Sequence, residues 1–259
     1  MLLDSSNFSD NPSPEGDKKT SALIDGMGRL GYSVVGVAER DLVLGYDELT
    51  KKTAAAPFPL VSTNFVRRGT SEPVFKPYVI VEAKRGEGKP PLRVGVMSVV
   101  RFNPVFLKTG PSGSNVSIAQ PVEMVRKYLD EVRKKSDVVV LLAELAVYDA
   151  HQLAHDLPGI DFIFGAYGGT YSSQEEAEGG TRIVFTGNQG KRVGETRIFL
   201  GEQNRITSDE SYLYFLTGRY PDDPETRRWT DDALAKIKGV GGAPGSPAVV
   251  PAAVGGAPH

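Results

Sequence analysis

Residues 137–165, DVVVLLAELAVYDAHQLAHDLPGIDFIFG, carry the strongest indication of the fold. Asp137–Ala143 and Ile160–Gly165 are short apolar runs, and Tyr148–Asp156 between them has a helix-like pattern. Continuous rather than alternating apolarity is typical of strands that are covered on both faces. A helix between two such strands favours an α/β architecture.

The same alternation of strand and helix extends in both directions from this stretch. Gln120–Lys135 is the clearest further helix, because Val122, Val125, Leu129 and Val132 are spaced three and four residues apart. The remaining predicted helices are Thr20–Leu30 and Tyr46–Ala55, the predicted covered strands are Ser33–Val37 and Arg93–Val100, and the predicted edge or hairpin strands are Tyr78–Glu82, Arg182–Thr186 and Glu195–Leu200. Strand–helix alternation with some antiparallel pieces predicts an α/β layered sandwich.

The two ends of the chain differ in composition from its middle. Asp4–Thr20 is rich in Ser, Asn, Asp and Pro, which predicts a loop. We expect the main domain to cover residues 1–205 and a helical C-terminal extension to cover 206–238. Residues 239–259 contain Gly, Ala, Pro and Val without charge, which predicts a flexible tail that could connect to a further domain or a protein partner.

Composition excludes several kinds of site and partner. The 259 residues include no cysteine, so disulfides, thiolate metal sites and cysteine nucleophiles are excluded. Only 3 histidines are present. A net charge of −2 argues against a nucleic-acid partner. No run reaches the ~20 apolar residues that a membrane span needs, and the first residues lack the pattern of a signal peptide.

Two short motifs resemble cofactor signatures. Gly26–Gly31 matches G-x-G-x-x-G, but it closes a predicted helix and precedes a strand, the reverse of the dinucleotide-binding order. His151 and His155 share one helical face and could bind zinc, yet Gln152 stands where a zinc protease has its glutamate base. We interpret the glycines as a helix end and the histidines as a surface pair.

Polar side chains follow several of the predicted strands. In open α/β sheets, ligands bind beyond the carboxyl ends of the strands, so we expect these side chains to converge in one cleft; ordinary polar loops are the alternative. The candidate cleft residues are Asp4, Asn7, Glu39, Arg40, Asp41, Glu144 and Tyr167. No residue among them is assigned as catalytic or as a metal ligand.

The same strand ends resemble the metallophosphoesterase domain of the 5′-nucleotidases, the UshA-like branch of the calcineurin-like phosphoesterases. Leu3–Phe8, LDSSNF, stands where the family has L-D-x-G-D-x-F, and Pro158–Gly165, PGIDFIFG, is similar to P-G-I-D-x-I-I-G. Further similar segments are Gly31–Val35, Pro57–Asn64 and Asp137–Leu145. The resemblance runs from about residue 2 to residue 200 and implies a layered αββα sandwich. Because the family's first Asp-x-His motif would lie before Met1, we expect this sandwich to be N-terminally incomplete.

The resemblance also implies a two-metal site with Asp, Asn and His ligands and a catalytic histidine. The matching positions hold other residues here: Asn7, Glu39, Arg40, Glu144, Ala166 and Gly168. An arginine stays charged near neutral pH and cannot replace a histidine that shuttles protons. Glu39 and Glu144 could pair with Arg40 in a metal-free cleft, or they could hold a hard cation through oxygen.

We therefore expect a degenerate 5′-nucleotidase-like domain that acts as a binding or interaction module, without dinuclear-metal phosphohydrolase activity. The alternative is an active phosphoester hydrolase for a nucleotide-type substrate, with Glu39, Asp41 and Glu144 rebuilt around Mg²⁺, Ca²⁺ or Mn²⁺. A third reading is nucleotide binding without hydrolysis. A small phosphorylated ligand fits each of these readings. Analogy with the family predicts a periplasmic or extracellular location.

Overall fold

The computed structural model describes residues 1–103, 115–172 and 176–239. The described strands are β1 (Leu2–Asp4), β2 (Tyr32–Gly36), β3 (Leu60–Val61), β4 (Phe65–Arg67), β5 (Tyr78–Ala83), β6 (Leu92–Val100), β7 (Val116–Ile118), β8 (Val138–Glu144), β9 (Phe162–Gly165), β10 (Glu176–Glu178), β11 (Thr181–Phe185), β12 (Arg192–Leu200) and β13 (Ile206–Phe215). The described α-helices are α1 (Pro14–Arg29), α2 (Tyr46–Thr53), α3 (Pro121–Lys135), α4 (Val147–Asp156) and α5 (Pro224–Lys238). No helix among them is long and apolar enough to cross a membrane.

The largest sheet has six strands in the order β10-β11-β9-β8-β6-β5. Strands β6, β8, β9 and β11 run parallel, and β5 and β10 pair antiparallel at the two edges. The central strands are buried on both faces, as their continuous apolar runs predict. Three smaller sheets accompany it: β1-β2-β3, β12-β13 and β4-β7.

Helices cover the outer faces of two stacked sheets. Val125 of α3 packs on one face of the six-stranded sheet, together with residues of α4. The opposite face of that sheet contributes Val140 to a second core, where it joins Val34 of the β1-β2-β3 sheet. On the outer side of the small sheet, Met27 of α1 packs with Val35. The order helix, sheet, sheet, helix confirms the layered αββα sandwich.

Helix α1 begins earlier than the sequence analysis predicts. The segment 4–20 is expected to be a loop, whereas α1 already starts at Pro14. Ser13 caps the helix, because its Oγ accepts the backbone N–H of Gly16 at 2.9 Å. Proline is favoured at the first helical position, so a Ser-Pro pair that reads as a loop is here a helix start.

The segment expected to be a helical extension contains a long strand before its helix. β13 (Ile206–Phe215) pairs antiparallel with β12, and α5 begins only at Pro224. Ile206 packs into the core between the sheets, which explains why this segment is extended. The chain divides into two compact units, residues 1–220 and 221–259. The predicted tail lies outside the described residues from residue 240 onward.

Candidate functional site

The carboxyl ends of several strands bring polar side chains to one edge of the sandwich. Asp4 ends β1, Glu39 follows β2, and Glu144 ends β8. Burial and the negative charge of Glu39 raise the pKa of Glu144, and the side chain of Asn7 forms a hydrogen bond with Glu144. The structure therefore brings together the loops after β1 and β2 and the end of β8, as the strand-end rule predicts.

Asp41 holds these loops together from within the protein. Its side chain is 2% exposed and accepts three backbone N–H groups, from Asn7 at 2.8 Å, from Ser9 at 2.9 Å and from Ala38 at 2.9 Å. Burial raises the pKa of this carboxyl, and the three N–H donors oppose that rise. Asp41 thus connects the loop after β1 to the turn after β2 and is turned away from the open cleft.

Asn7 and Glu144 form the centre of the cluster. Asn7 has a φ of 64°, a left-handed conformation that its backbone bond to Asp41 maintains. Burial, followed by the nearby charge of Glu39, raises the pKa of Glu144 to about 7, while Arg101 and the side chain of Asn7 act in the opposite direction. Glu144 therefore exchanges protons near neutral pH.

A second carboxyl with a displaced pKa lies at the end of β1. Burial, followed by the charge of Asp41, raises the pKa of Asp4 to about 6, although the backbone N–H of Ser6 donates to its carboxylate at 3.0 Å. At both carboxyls burial is the largest cause of the higher pKa, because it favours the neutral form.

Arg40 does not make the acid–arginine–acid pairing that the sequence analysis considered. Among the described residues its ion pair is with Asp10, at 3.6 Å, and its side chain is 52% exposed. Arg101 is the cation whose charge acts on Glu144. The Glu39 carboxylate instead accepts a hydrogen bond from the side chain of Asn103 at 3.0 Å.

Arg101 and Asn103 are site residues that the sequence analysis does not identify. Both closely follow β6, a buried strand whose carboxyl end also carries polar residues. The rule that selects Glu144 would also find them. Arg101 further lies over the ring of Tyr167, 5.6 Å from its centroid, which connects the end of β9 to the cluster.

A cavity of about 850 Å³ opens beside these residues. Asp4, Asn7, Glu144 and Tyr167 line it, together with the cation Arg40. On the other side, the lining comes from the turn at residues 187–190 and from β12.

The turn at residues 187–190 places a second arginine at the cavity. Arg192 lies over the ring of Tyr171, 3.9 Å from its centroid. Gly187 has a φ of 85°, which favours glycine, and a Cβ there would lie 2.5 Å from the Arg192 guanidinium, which would then have to shift.

The donor set does not fit a dinuclear metal site. Among residues 1–103, 115–172 and 176–239, no group of three or more His, Cys, Asp or Glu side chains could hold a metal ion. Oε2 of Glu39 accepts a hydrogen bond from Asn103, whereas its Oε1 is buried and has no hydrogen-bond partner among the described residues. Asp41 accepts three backbone N–H groups. Position 40 carries a fixed positive charge where the resemblance implies a histidine.

The two remaining motifs lie apart from this cluster. Gly26 and Gly28 are inside α1, and Gly31 follows it with a φ of 76°, as expected for a helix end. Nε2 of His151 lies 2.6 Å from a carboxylate oxygen of Glu176, and Nδ1 of His155 lies 3.2 Å from a carboxylate oxygen of the neighbouring Asp156.

Comparisons with known proteins give relatives and structural neighbours that include nucleotidases and phosphoesterases. The chain is 29% identical over 203 residues to a 2′,3′-cyclic-nucleotide 2′-phosphodiesterase/3′-nucleotidase of Haemophilus influenzae, covering 72% of this chain and 31% of that protein. No family model matches. The chain thus spans about a third of the length of this curated relative.

Solved structures confirm the architecture. The calcineurin-like phosphoesterase YfkN from Bacillus subtilis superposes with a TM-score of 0.76 at 18% identity, over 92% of this chain and 85% of that chain. A 5′-nucleotidase precursor from Thermus thermophilus gives a TM-score of 0.75 at 19% identity, over 92% of this chain and 50% of that chain. The resemblance to the 5′-nucleotidase branch of the calcineurin-like metallophosphoesterases is therefore confirmed, and the chain has their fold.

Proposed function

Starting from this relationship to nucleotide phosphoesterases, we propose that the chain is a phosphoesterase-like domain that binds a small phosphorylated ligand without dinuclear-metal hydrolysis. The observation that carries the proposal is the chemistry at the strand ends. The positions that the resemblance aligns with metal ligands include Arg40, Ala166 and Gly168, which cannot bind a cation through their side chains. Glu39 and Glu144 remain as acids at such positions, and among the described residues no third His, Cys, Asp or Glu side chain joins them in a group that could hold a metal ion.

Two arginines at the cavity support a phosphorylated ligand. Arg40 is half exposed at the cavity, and Arg192 is held against Tyr171 with its guanidinium beside the turn at 187–190. A guanidinium can form two parallel hydrogen bonds to a phosphate group. Gln189 and Gly190 have φ angles of 62° and 61°. Turns with left-handed residues can present successive backbone N–H groups to an anion, which would add to the attraction of the arginines.

An active hydrolase with a rebuilt carboxylate site is the second candidate. One observation favours it: a carboxyl with a pKa of about 7, as in Glu144, is suited to general acid–base catalysis near neutral pH. A hard cation such as Mg²⁺, Ca²⁺ or Mn²⁺ would need oxygen ligands, for which Glu39, Asp41 and Glu144 are the candidates. The burial of Asp41 under three N–H donors argues against its use in this way.

The two candidates predict different behaviour of the purified chain. We expect mononucleotides to raise its melting temperature without metal, and to release no phosphate under saturating Mg²⁺, Ca²⁺ or Mn²⁺. Arg40→Gln and Arg192→Gln should each weaken binding by about tenfold, since a hydrogen bond to a charged group contributes about 1.5–3 kcal/mol. Arg219→Gln, at an exposed arginine in the segment after β13, should leave binding unchanged.

Two results would overturn the proposal. Stoichiometric manganese or zinc, with mononucleotide hydrolysis that is lost in Asn7→Ala, would establish the hydrolase instead. If millimolar nucleotide did not change the melting temperature, the proposed nucleotide binding would be refuted. A chain that stays metal-free and inert toward a nucleotide panel under saturating cation would reject the hydrolase.

The location of the chain and its further partners are also proposals. A periplasmic or extracellular location is proposed from the family analogy, and fractionation of the native host tests it. Attachment to another domain or protein through residues 239–259 also stays a prediction, which pull-down with and without this segment tests.

A further inference from the structure

Two buried polar atoms at the acid-rich end of the cavity have no hydrogen-bond partner among the described residues. They are Oε1 of Glu39 and Oγ of Ser6. Ser6 lines the cavity, and Glu39 acts through its charge on Glu144, which also lines it. Leaving a buried polar atom without a partner is destabilising, so such atoms indicate that a water, an ion or a ligand supplies the missing hydrogen bonds.

The side chains around these two atoms are accessible from solvent. Asn7 is exposed, and Asp4, Glu144 and Tyr167 are partly exposed. All four line the cavity and lie at its mouth, beyond the carboxyl ends of the strands. A small ligand can therefore reach the acids without any movement of the apolar core beneath them.

Negative charge exceeds positive charge at this end of the cavity. After burial, the charge of Asp41 raises the pKa of Asp4, and the charges of Glu39 and Asp41 raise the pKa of Glu144. The cation that opposes these effects is Arg101, whose charge lowers the pKa of Glu144. Four carboxyl groups thus act on one another here, and Arg101 offsets only part of their charge.

The other two arginines at the cavity have contacts of their own. The guanidinium of Arg40 lies 3.6 Å from the carboxylate of Asp10. Arg192 lies over the rings of Tyr171 and Phe215, 3.9 Å and 4.8 Å from their centroids. The positive group that the acids lack must therefore come from the ligand.

We infer that the acid-rich end of the cavity, formed by Asp4, Glu39 and Glu144, is a subsite for a primary ammonium group. An ammonium carries three N–H donors, which can serve several carboxylate oxygens at once, including the unpartnered Oε1 of Glu39. The subsite itself depends on the acids alone. That the same ligand also carries a phosphate, and is thus a phosphorylated amine, rests on the proposed function.

An ammonium suits this set of acceptors better than a metal ion or a hydroxyl group does. A metal ion requires ligands in a defined number and geometry, and in the described part of the chain no three His, Cys, Asp or Glu side chains are placed to hold one. A hydroxyl group would donate one hydrogen bond but would leave the charge of the acids without an opposite charge. An ammonium supplies both the donors and the charge.

Phosphorylated amines of graded length, added to the full chain, test the inference. The probes are aminoalkyl phosphates with two to six carbons, each compared by isothermal titration calorimetry with the alkyl phosphate and the hydroxyalkyl phosphate of the same length. We expect the best aminoalkyl phosphate to bind about tenfold more tightly than either counterpart, as is typical of a hydrogen bond between charged groups. The corresponding alkylamine, without phosphate, should bind weakly but saturably.

Variants of the chain locate the ammonium group. The quantity compared is the ratio of the affinities for the aminoalkyl and the alkyl phosphate, measured on the same variant. In Glu144→Gln and in Asp4→Asn this ratio should fall to about threefold or less. Glu87→Gln, in the exposed turn between β5 and β6, should leave the ratio unchanged. Circular dichroism of each variant checks that it is folded.

Failure of this inference differs from failure of the proposed function. If alkyl phosphates bind but the amine gives no advantage at any length, or if its advantage persists in both Glu144→Gln and Asp4→Asn, the ammonium subsite is refuted and the phosphate site stands. If no phosphorylated compound binds, the proposed function fails, and the alkylamine decides about the subsite. Alkylamine binding that is lost in Glu144→Gln would support the subsite, and the absence of saturable binding would overturn it.

Discussion

Replacing Glu144 with glutamine should stabilise the protein at alkaline pH and leave its stability unchanged near pH 4. Burial and the charge of Glu39 raise the pKa of Glu144 from 4.5 to about 7 in the folded chain. Between these two pH values the folded chain binds the proton more tightly than the unfolded chain does. Stability from this group is therefore fully present below pH 4.5, decreases as the pH rises, and is lost above about pH 7.

The size of the effect follows from the same difference in pKa. At about 1.4 kcal/mol per pH unit, the change from 4.5 to about 7 sets an upper limit of roughly 3 kcal/mol. Glu144 is only partly buried, and solvent screening reduces such energies, so we expect about 1–2 kcal/mol. Glutamine has nearly the same shape as the protonated acid and carries no charge at any pH.

Urea unfolding of both proteins from pH 4 to pH 8 measures this effect. The difference in free energy of unfolding should be near zero at pH 4 and should grow to about 1–2 kcal/mol in favour of Glu144→Gln at pH 8. Glu87→Gln, in the exposed turn between β5 and β6, should match the unmodified chain throughout. The reasoning fails if Glu144→Gln is equally or less stable than the unmodified chain at pH 8.

Three further substitutions test the framework around the cleft. Asp41→Ala should cost about 3 kcal/mol in urea unfolding, because three backbone N–H groups lose their acceptor, whereas Asp47→Ala at an exposed position should cost under about 0.5 kcal/mol. Asn64→Ala should lower the free energy of unfolding by about 2–4 kcal/mol, since its fully buried amide makes three hydrogen bonds to backbone groups. Gly187→Ala should lower the free energy of unfolding by about 1–2 kcal/mol, because Gly187 has a φ of 85°. The substitution should also displace Arg192 and so weaken ligand binding. Unchanged binding would show that Arg192 does not contact the ligand.

The strands β6 and β8 and the helix α3 can be predicted from the sequence because one physical pattern determines each of them. β6 and β8 are buried on both faces and therefore consist of continuous apolar runs. α3 buries one stripe, which fixes the spacing of Val125, Leu129 and Val132. The predicted bounds of these elements agree with the observed ones within one or two residues.

The remaining elements depend on contacts that the local sequence does not show. β13 mixes polar and apolar residues because one face packs on the core and the other is exposed, so its pattern depends on its pairing with β12. The start of α1 is not recognisable in the sequence because Ser13 and Pro14 are of types common both in loops and at helix starts.

The candidate site, too, can be predicted only in part, because some of its contacts join residues that are distant in sequence. The strand-end rule finds Asn7, Glu39 and Glu144, which the structure brings together. It cannot show that Asp41 faces inward, since that depends on backbone N–H groups up to 34 residues away in sequence. Nor can it show that the ion pair of Arg40 is with Asp10.

We propose that this phosphoesterase fold binds a phosphorylated ligand without dinuclear-metal hydrolysis. Calorimetric titration of the full chain with a mononucleotide, with and without saturating Mn²⁺, is the decisive measurement when phosphate release is followed in the same samples. We expect the same binding in both samples and no release of phosphate. Binding that requires Mn²⁺, together with phosphate release that is lost in Asn7→Ala, would contradict it.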